Sequence, residues 1–308
     1  MKNKSSFVVV MLSAFIMAIS SLLVIPLNAE FTFASSTHRT PLIFVPTAPQ
    51  TQVVSASGCE LDYSNAAYGY VMVKYTGPHE LVLIELLHEE APTNFKIHSS
   101  ESYTCLPLSH GNGIYHIRFY EPALYAGTDE YSELFQTELF VELQDEFMPF
   151  LYPNQMVWFS AQSQAVQFGA ELLDSSMSDA EVITAIFNYV TENISADYQL
   201  ESEILNGIIE ERLILDIDSI YLEQSGVCLD SAVLMTALLR SQQIPAKLVF
   251  GYANTDWHAW VSVYTPEGGW VSYDPAFMAA SSHDDPPTDK TTESVSNVAI
   301  VYREVLIF

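Results

Sequence analysis

Basic residues are scarce in this chain. Its 308 residues hold 11 Lys+Arg against 38 Asp+Glu, for a formal net charge of -27. So acidic a surface repels phosphate backbones and anionic head groups, and no basic stripe relieves it. Nucleic acid is therefore excluded as a partner, and membrane contact is confined to the N-terminal segment. The same field favours cationic partners such as amine-bearing or lysine-rich material, though it also simply keeps an exported chain soluble. Cysteine is scarcer still, at three residues: Cys59, Cys105 and Cys228. No internal repeat is present. His79, His88, His98, His110 and His116 follow no metal-site spacing, and nothing in the chain calls for a metal or a cofactor.

What the chain does have is apolar residues, 49% of the total, enough for one or two domains with real cores. Lys2 and Lys4 precede an apolar run from Phe7 to Ile25, broken by Pro26 and followed by the small Ala29. This pattern predicts export, with residues 1–29 as a signal peptide or an N-terminal membrane anchor. Cleavage after Ala29 or Ala34 and retention as an anchor both stay open, so the protein is expected outside the cell or at its surface. Residues 30–57, rich in Ser, Thr, Pro and Ala without periodicity, read as a flexible linker.

Residues 58–145 read as strands. "YGYVMVKY", "ELVLIELL", "GIYHIRFY" and "ELFQTELFVEL" are separated by turn signals such as "TGPH" and "SHGNG". Tyr115, Ile117 and Phe119 alternate with Ile114, His116, Arg118 and Tyr120, which predicts one buried and one wet face. A small β-sandwich is expected. Cys59 and Cys105 both lie in this region, and on an exported chain they are expected to form a disulfide. After residue 145 the period lengthens. Ser178 and Glu181 form a capping box ahead of a helix whose apolar face is Val182, Ile183, Ile186, Phe187, Val190 and Ile194.

The third cysteine opens a second such helix. In "SGVCLDSAVLMTALLRSQQIP", Cys228 stands at the helix start, where free N–H groups and the positive dipole end stabilise both a thiolate and an oxyanion. A small buried hydrophobe is the plain alternative. Downstream, "TDWHAWVSVY" places His258 on the strand face opposite Trp257, Ala259, Val261 and Val263. After the turn "TPEGG", "WVSYDPAF" gives Asp274 the same parity as His258. A hairpin would set the carboxylate opposite the imidazole or one diagonal step away. Nucleophile, base and orienting acid then occur in order, each on a suitable element.

Those three blocks, "GVCLDSAVLMTALLRSQQIPAKLVFGY", "HAWVSVY" and "GGWVSYDPAF", resemble the signature blocks of the transglutaminase-like domain of the papain-like cysteine enzymes. The resemblance implies an α+β fold over residues 146–308, with the nucleophile helix packed on an antiparallel sheet. It implies a Cys228–His258–Asp274 triad. The β-rich region that precedes it is similar to the N-terminal module of exported Gram-positive proteins of this kind. By analogy with papain-like enzymes, Gln224 is a candidate oxyanion donor, and Trp257 and Trp260 are candidate walls of the acyl site. Where many members carry a tyrosine after the "NIS"-like helix end, this chain has Ala196, with Tyr198 two positions on. The expected activity is acyl transfer or hydrolysis of protein or peptide amides, with an amine or lysine as one possible acceptor. A peptidase acting on cell-wall peptides and a non-catalytic surface scaffold are the alternatives.

Overall fold

The strand-like and helix-like periods of the sequence occupy separate parts of the structure, a computed structural model that describes residues 38–122, 131–208, 215–276 and 302–308. The signal or anchor segment 1–29 lies outside the described residues. No helix among the described residues is long and apolar enough to cross a membrane.

The first half forms two four-stranded antiparallel sheets. One has the order β1 (Val53–Ala56), β2 (Cys59–Asp62), β3 (Tyr70–Tyr75), β6 (Thr104–Pro107); the other runs β5 (Ala91–His98), β4 (Leu81–His88), β7 (Gly113–Pro122), β8 (Tyr131–Val141). Alternation assigns the faces. Tyr115, Ile117 and Phe119 are fully buried, whereas Ile114 on the opposite face is 46% exposed. From the facing sheet Leu61, Val71, Val73 and Tyr75 enter the same core as Val82, Ile84 and Leu86. Period-two burial from both sheets thus closes a sandwich.

The expected bridge between Cys59 and Cys105 is absent: both thiols are free and buried. Cys59 pairs with Tyr75 and Cys105 with Met72, so β2 and β6 flank β3 on opposite sides. Strands two places apart in a sheet lie about 9–10 Å from one another, beyond the roughly 7 Å a disulfide can span. The side chains also diverge. Cys59 joins the core between the sheets, while Cys105 joins Tyr70 and Met72 on the other face. Burial, with a smaller contribution from Glu121, pushes the Cys59 thiol up to about 12, and burial raises Cys105 as well.

Residues 38–57, expected as a flexible linker, are ordered along the helical half. Arg39 N–H donates to the Leu173 carbonyl at 2.9 Å and Leu42 N–H to that of Ser241 at 3.0 Å. The Gln243 side chain donates to the Leu42 carbonyl at 2.6 Å, and Val53–Ala56 then pairs as β1. Composition alone missed this, because backbone groups without periodic side chains still find carbonyl partners.

The second half has five helices among the described residues: α1 (Gln164–Leu172), α2 (Asp179–Asn193), α3 (Tyr198–Leu205), α4 (Ile217–Glu223) and α5 (Cys228–Ser241). The capping box at Ser178 and Glu181 forms as expected. A sheet ordered β13 (Gly269–Tyr273), β12 (Asp256–Thr265), β11 (Ala246–Ala253), β14 (Tyr302–Ile307) lies beside them. Helix α5 is buried all round from its third residue on: every residue from Asp230 to Ser241 is packed against α1, α2, α4, β11 and β12.

Arg240, in the last turn of α5, is fully buried. Its Nε donates to the Ala246 carbonyl at 2.9 Å, its Nη1 to that of Tyr152 at 2.9 Å and its Nη2 to that of Phe308 at 2.7 Å. One planar fork thereby joins α5, the segment leaving the sandwich, the start of β11 and the end of β14. Burial pulls Arg240 down to about 9, which leaves it cationic at neutral pH. Replacing it as Arg240→Met strands carbonyls in a dry interior and should cost about 2–4 kcal/mol. Arg240→Lys should recover less than half of that, since one ammonium cannot reach three carbonyls. Denaturant midpoints of the three proteins check this; a Met variant as stable as the parent would contradict it.

Candidate active site

The site starts from a short parallel pairing. β9 (Ser195–Ala196), at the end of α2, pairs with β10 (Ser225–Gly226), which leads into α5. Ser195 N–H donates to the Gln224 carbonyl at 3.0 Å, and Asp197 N–H to that of Gly226 at 2.9 Å. Asp230, buried two residues past the cysteine, accepts the Val227 N–H at 2.8 Å. A Cβ on Gly226 would sit 2.6 Å from the Asp230 Cβ, so this turn requires glycine. The outcome is a half-buried Cys228 as the first residue of α5, with its N–H among the first-turn donors that have no intrahelical acceptor.

His258 and Asp274 arrive from the β12–β13 hairpin. The last pair of that ladder is Val261–Tyr273, so Asp274 stands one place beyond it, diagonal to His258. The His258 Nε2 lies 2.8 Å from Asp274 Oδ2, and the Cys228 side chain is near enough to act on the same imidazole. Burial works against the charge on His258. The hydrogen bonds from Asp274 and Cys228, with their charges, outweigh it and hold the imidazolium up to about 10. The three sequence-derived residues form a chain of neighbours, with His258 interacting with both Asp274 and Cys228.

That chain opens on a cleft of about 430 Å³, whose lining includes Cys228, His258, Trp257 and the carboxylate residues Asp197, Glu201 and Asp256. Trp257, expected on the packed face of its strand, is instead 52% exposed and walls this cleft. Trp260 does not. It is fully buried behind His258, its ring 6.4 Å from the imidazole and nearly parallel to it, so it supports the histidine and meets no substrate. The alternation failed here because β12 is covered on both faces: Ala259, Trp260, Val261, Ser262 and Val263 are all buried. Gln224 is also placed away from the cleft. It ends α4 in a left-handed conformation (φ 52°) and is not among the residues that line the cleft.

One residue at the site went unnoticed in the sequence. The Tyr302 hydroxyl, from β14, donates to Asp274 Oδ2 at 2.8 Å. The run "YREVLI" reads as a strand, but no local pattern says where its tyrosine lands.

Residues 166–275 match the family model of the Transglutaminase-like superfamily, so the chain carries a transglutaminase-like domain over that span. It is 30% identical over 107 residues to the Bacillus subtilis (strain 168) protein named "Uncharacterized protein YebA", an alignment covering 29% of this chain and 13% of that one. It is 35% identical over 77 residues to a Pseudomonas aeruginosa protein-glutamine gamma-glutamyltransferase, covering 20% of this chain and 12% of that one. The chain therefore spans only a small part of either relative's length. Among solved structures, the periplasmic domain of TgpA from Pseudomonas aeruginosa aligns with a TM-score of 0.33 at 15% identity, covering 74% of this chain and 96% of that one.

The raised His258 fixes a sign. Its imidazolium contributes stability that is complete below the ordinary histidine value, 6.5, and lost as pH rises through about 10. Asp274→Asn removes a raising partner and leaves burial in place. The point at which the ring loses its proton should then fall by about 1–3 units, as read from the pH titration of labelled histidine by NMR. A titration point unmoved by the substitution would show that another group supports the imidazolium.

Proposed function

We propose that this protein is an exported thiol enzyme that cleaves protein or peptide amides through a thioester on Cys228. The observation that carries the reading is the His258–Asp274 hydrogen bond at 2.8 Å with Cys228 beside the same imidazole, open to a cleft of about 430 Å³. In the first half-reaction the sulfur attacks the amide carbonyl carbon, and the Cys228 N–H faces the developing oxyanion. The C–N bond then breaks as His258 gives its proton to the departing nitrogen, leaving the acyl group on sulfur. In the second, water or an amine attacks that carbonyl, His258 takes the incoming proton, and the C–S bond breaks to restore the thiolate beside the imidazolium. Asp274 orients the imidazole and supports its charge without itself moving a proton.

Water and amine lead to different products, and the cleft favours the amine. Asp197, Glu201 and Asp256 line it, with no lysine or arginine among the lining residues. Together with the net charge of -27, these carboxylates draw a cationic acceptor.

The test is mass spectrometry of a glutamine-containing peptide incubated with the protein, with and without a lysine-type amine. Amine incorporation is expected, absent in Cys228→Ala and weakened as added salt screens the field. Asp274→Asn should slow it by about 10²–10⁴-fold. Salt-independent hydrolysis without amine incorporation would favour a peptidase. An inert protein, with Cys228 alkylated no faster in the parent than in His258→Ala, would favour the scaffold.

A further inference from the structure

Asp274 stands one place past the end of a strand ladder. The β12–β13 ladder ends at Val261–Tyr273, and Pro275 follows with no N–H to continue it. A donor carried on a different strand restricts the turning of such a carboxylate about its side-chain torsions.

Tyr302 is that donor. Its hydroxyl and His258 Nε2 both meet the same oxygen, Asp274 Oδ2, each at 2.8 Å. The tyrosine ring is itself fixed, with its centroid 5.0 Å from that of the fully buried Trp260. The backbone under it is fixed as well, since Tyr302 pairs with Ala253 where β14 adds to β11. That pairing depends on Gly251 at a register shift: a Cβ there would overlap the Arg303 carbonyl oxygen and come 2.8 Å from the Trp260 ring. The close approach that delivers Tyr302 is therefore written into β11 by a glycine. Burial first, and the Asp274 carboxylate second, hold the phenol above its ordinary value, so it stays a donor throughout the working pH range.

We infer that Tyr302 is a positioning residue of the reaction proposed above, its hydroxyl locking the Asp274 carboxylate in the orientation that serves His258. The role rests on that reading of the triad but is not contained in it, because Tyr302 lies beyond residues 166–275, where the family match ends. The groups that face His258 are the Cys228 thiol from α5, the Asp274 carboxylate after β13 and, across the cleft, Asp197, Glu201 and Asp256. Tyr302 reaches the histidine through Asp274.

Tyr302→Phe removes one oxygen and keeps the ring against Trp260, so the fold should survive with little change in melting temperature. In the full chain, NMR titration of His258 should then show a midpoint lower by about one unit, and kcat should fall about tenfold with KM unchanged, the size expected for one charge-assisted hydrogen bond. In an Asp274→Ala background, where the hydroxyl has no carboxylate to hold, Tyr302→Phe should change neither quantity. Equal effects in both backgrounds, or an unmoved His258 midpoint in Tyr302→Phe, would overturn the positioning role and leave the triad standing. A parent His258 that titrates at the ordinary imidazole value would overturn the triad, and the role of Tyr302 with it. The titration needs no substrate, so it decides between these outcomes whatever amide the enzyme prefers.

Discussion

A buried guanidinium holds this molecule together. Arg240 places a full positive charge in a dry interior and spends its donors on three backbone carbonyls, from Tyr152, Ala246 and Phe308. Each acceptor belongs to a different segment. The segment leaving the sandwich, the first residue of β11 and the end of β14 all converge on the last turn of α5. A charge so deep costs several kcal/mol unless its donors are satisfied, so any displacement of those segments is penalised together. The far end of the same helix carries Cys228, 12 residues away and about 18 Å along the axis. Fixing one end of a rigid helix that is buried from Asp230 to Ser241 fixes the other.

The chemistry gathers on that fixed end from three directions. The β9–β10 pairing and the Asp230 carboxylate shape the turn before Cys228. The β12–β13 hairpin brings His258 and Asp274, and β14, itself tied to Arg240 through Phe308, brings Tyr302. Low dielectric behind His258, where Trp260 is buried, strengthens the ion pair with Asp274, while the front of the ring faces the acidic cleft. This asymmetry suits a group that must hold a proton and then release it toward the substrate side.

How much of this was legible in the sequence follows from the range of each interaction. The capping box at Ser178, the alternation through Tyr115, Ile117 and Phe119, and the diagonal from His258 to Asp274 are each encoded within a span of 16 residues or fewer, and periodicity exposed them. What failed depended on distant chain. The parity rule put Trp257 inside and left Trp260 open to the substrate because it assumed one wet face, and β12 has none along its central residues. The Cys59–Cys105 bridge was refuted by strand order, with β3 lying between the two cysteines. Gln224 was turned away by a left-handed helix end, which its own residue type does not announce. Arg240 and Tyr302 drew no reading from the sequence, because both act across more than 20 residues of chain and each is defined by partners that no local pattern names.

The central claim is that Cys228 carries the acyl group. Intact-mass measurement of the protein, acid-quenched within the first turnover on a glutamine-containing peptide, tests it most directly. The account predicts a mass increase equal to the acyl portion, mapped to Cys228, discharged by hydroxylamine and absent in Cys228→Ala. Turnover with no covalent species at any quench time, or an adduct mapped to another residue, would contradict it.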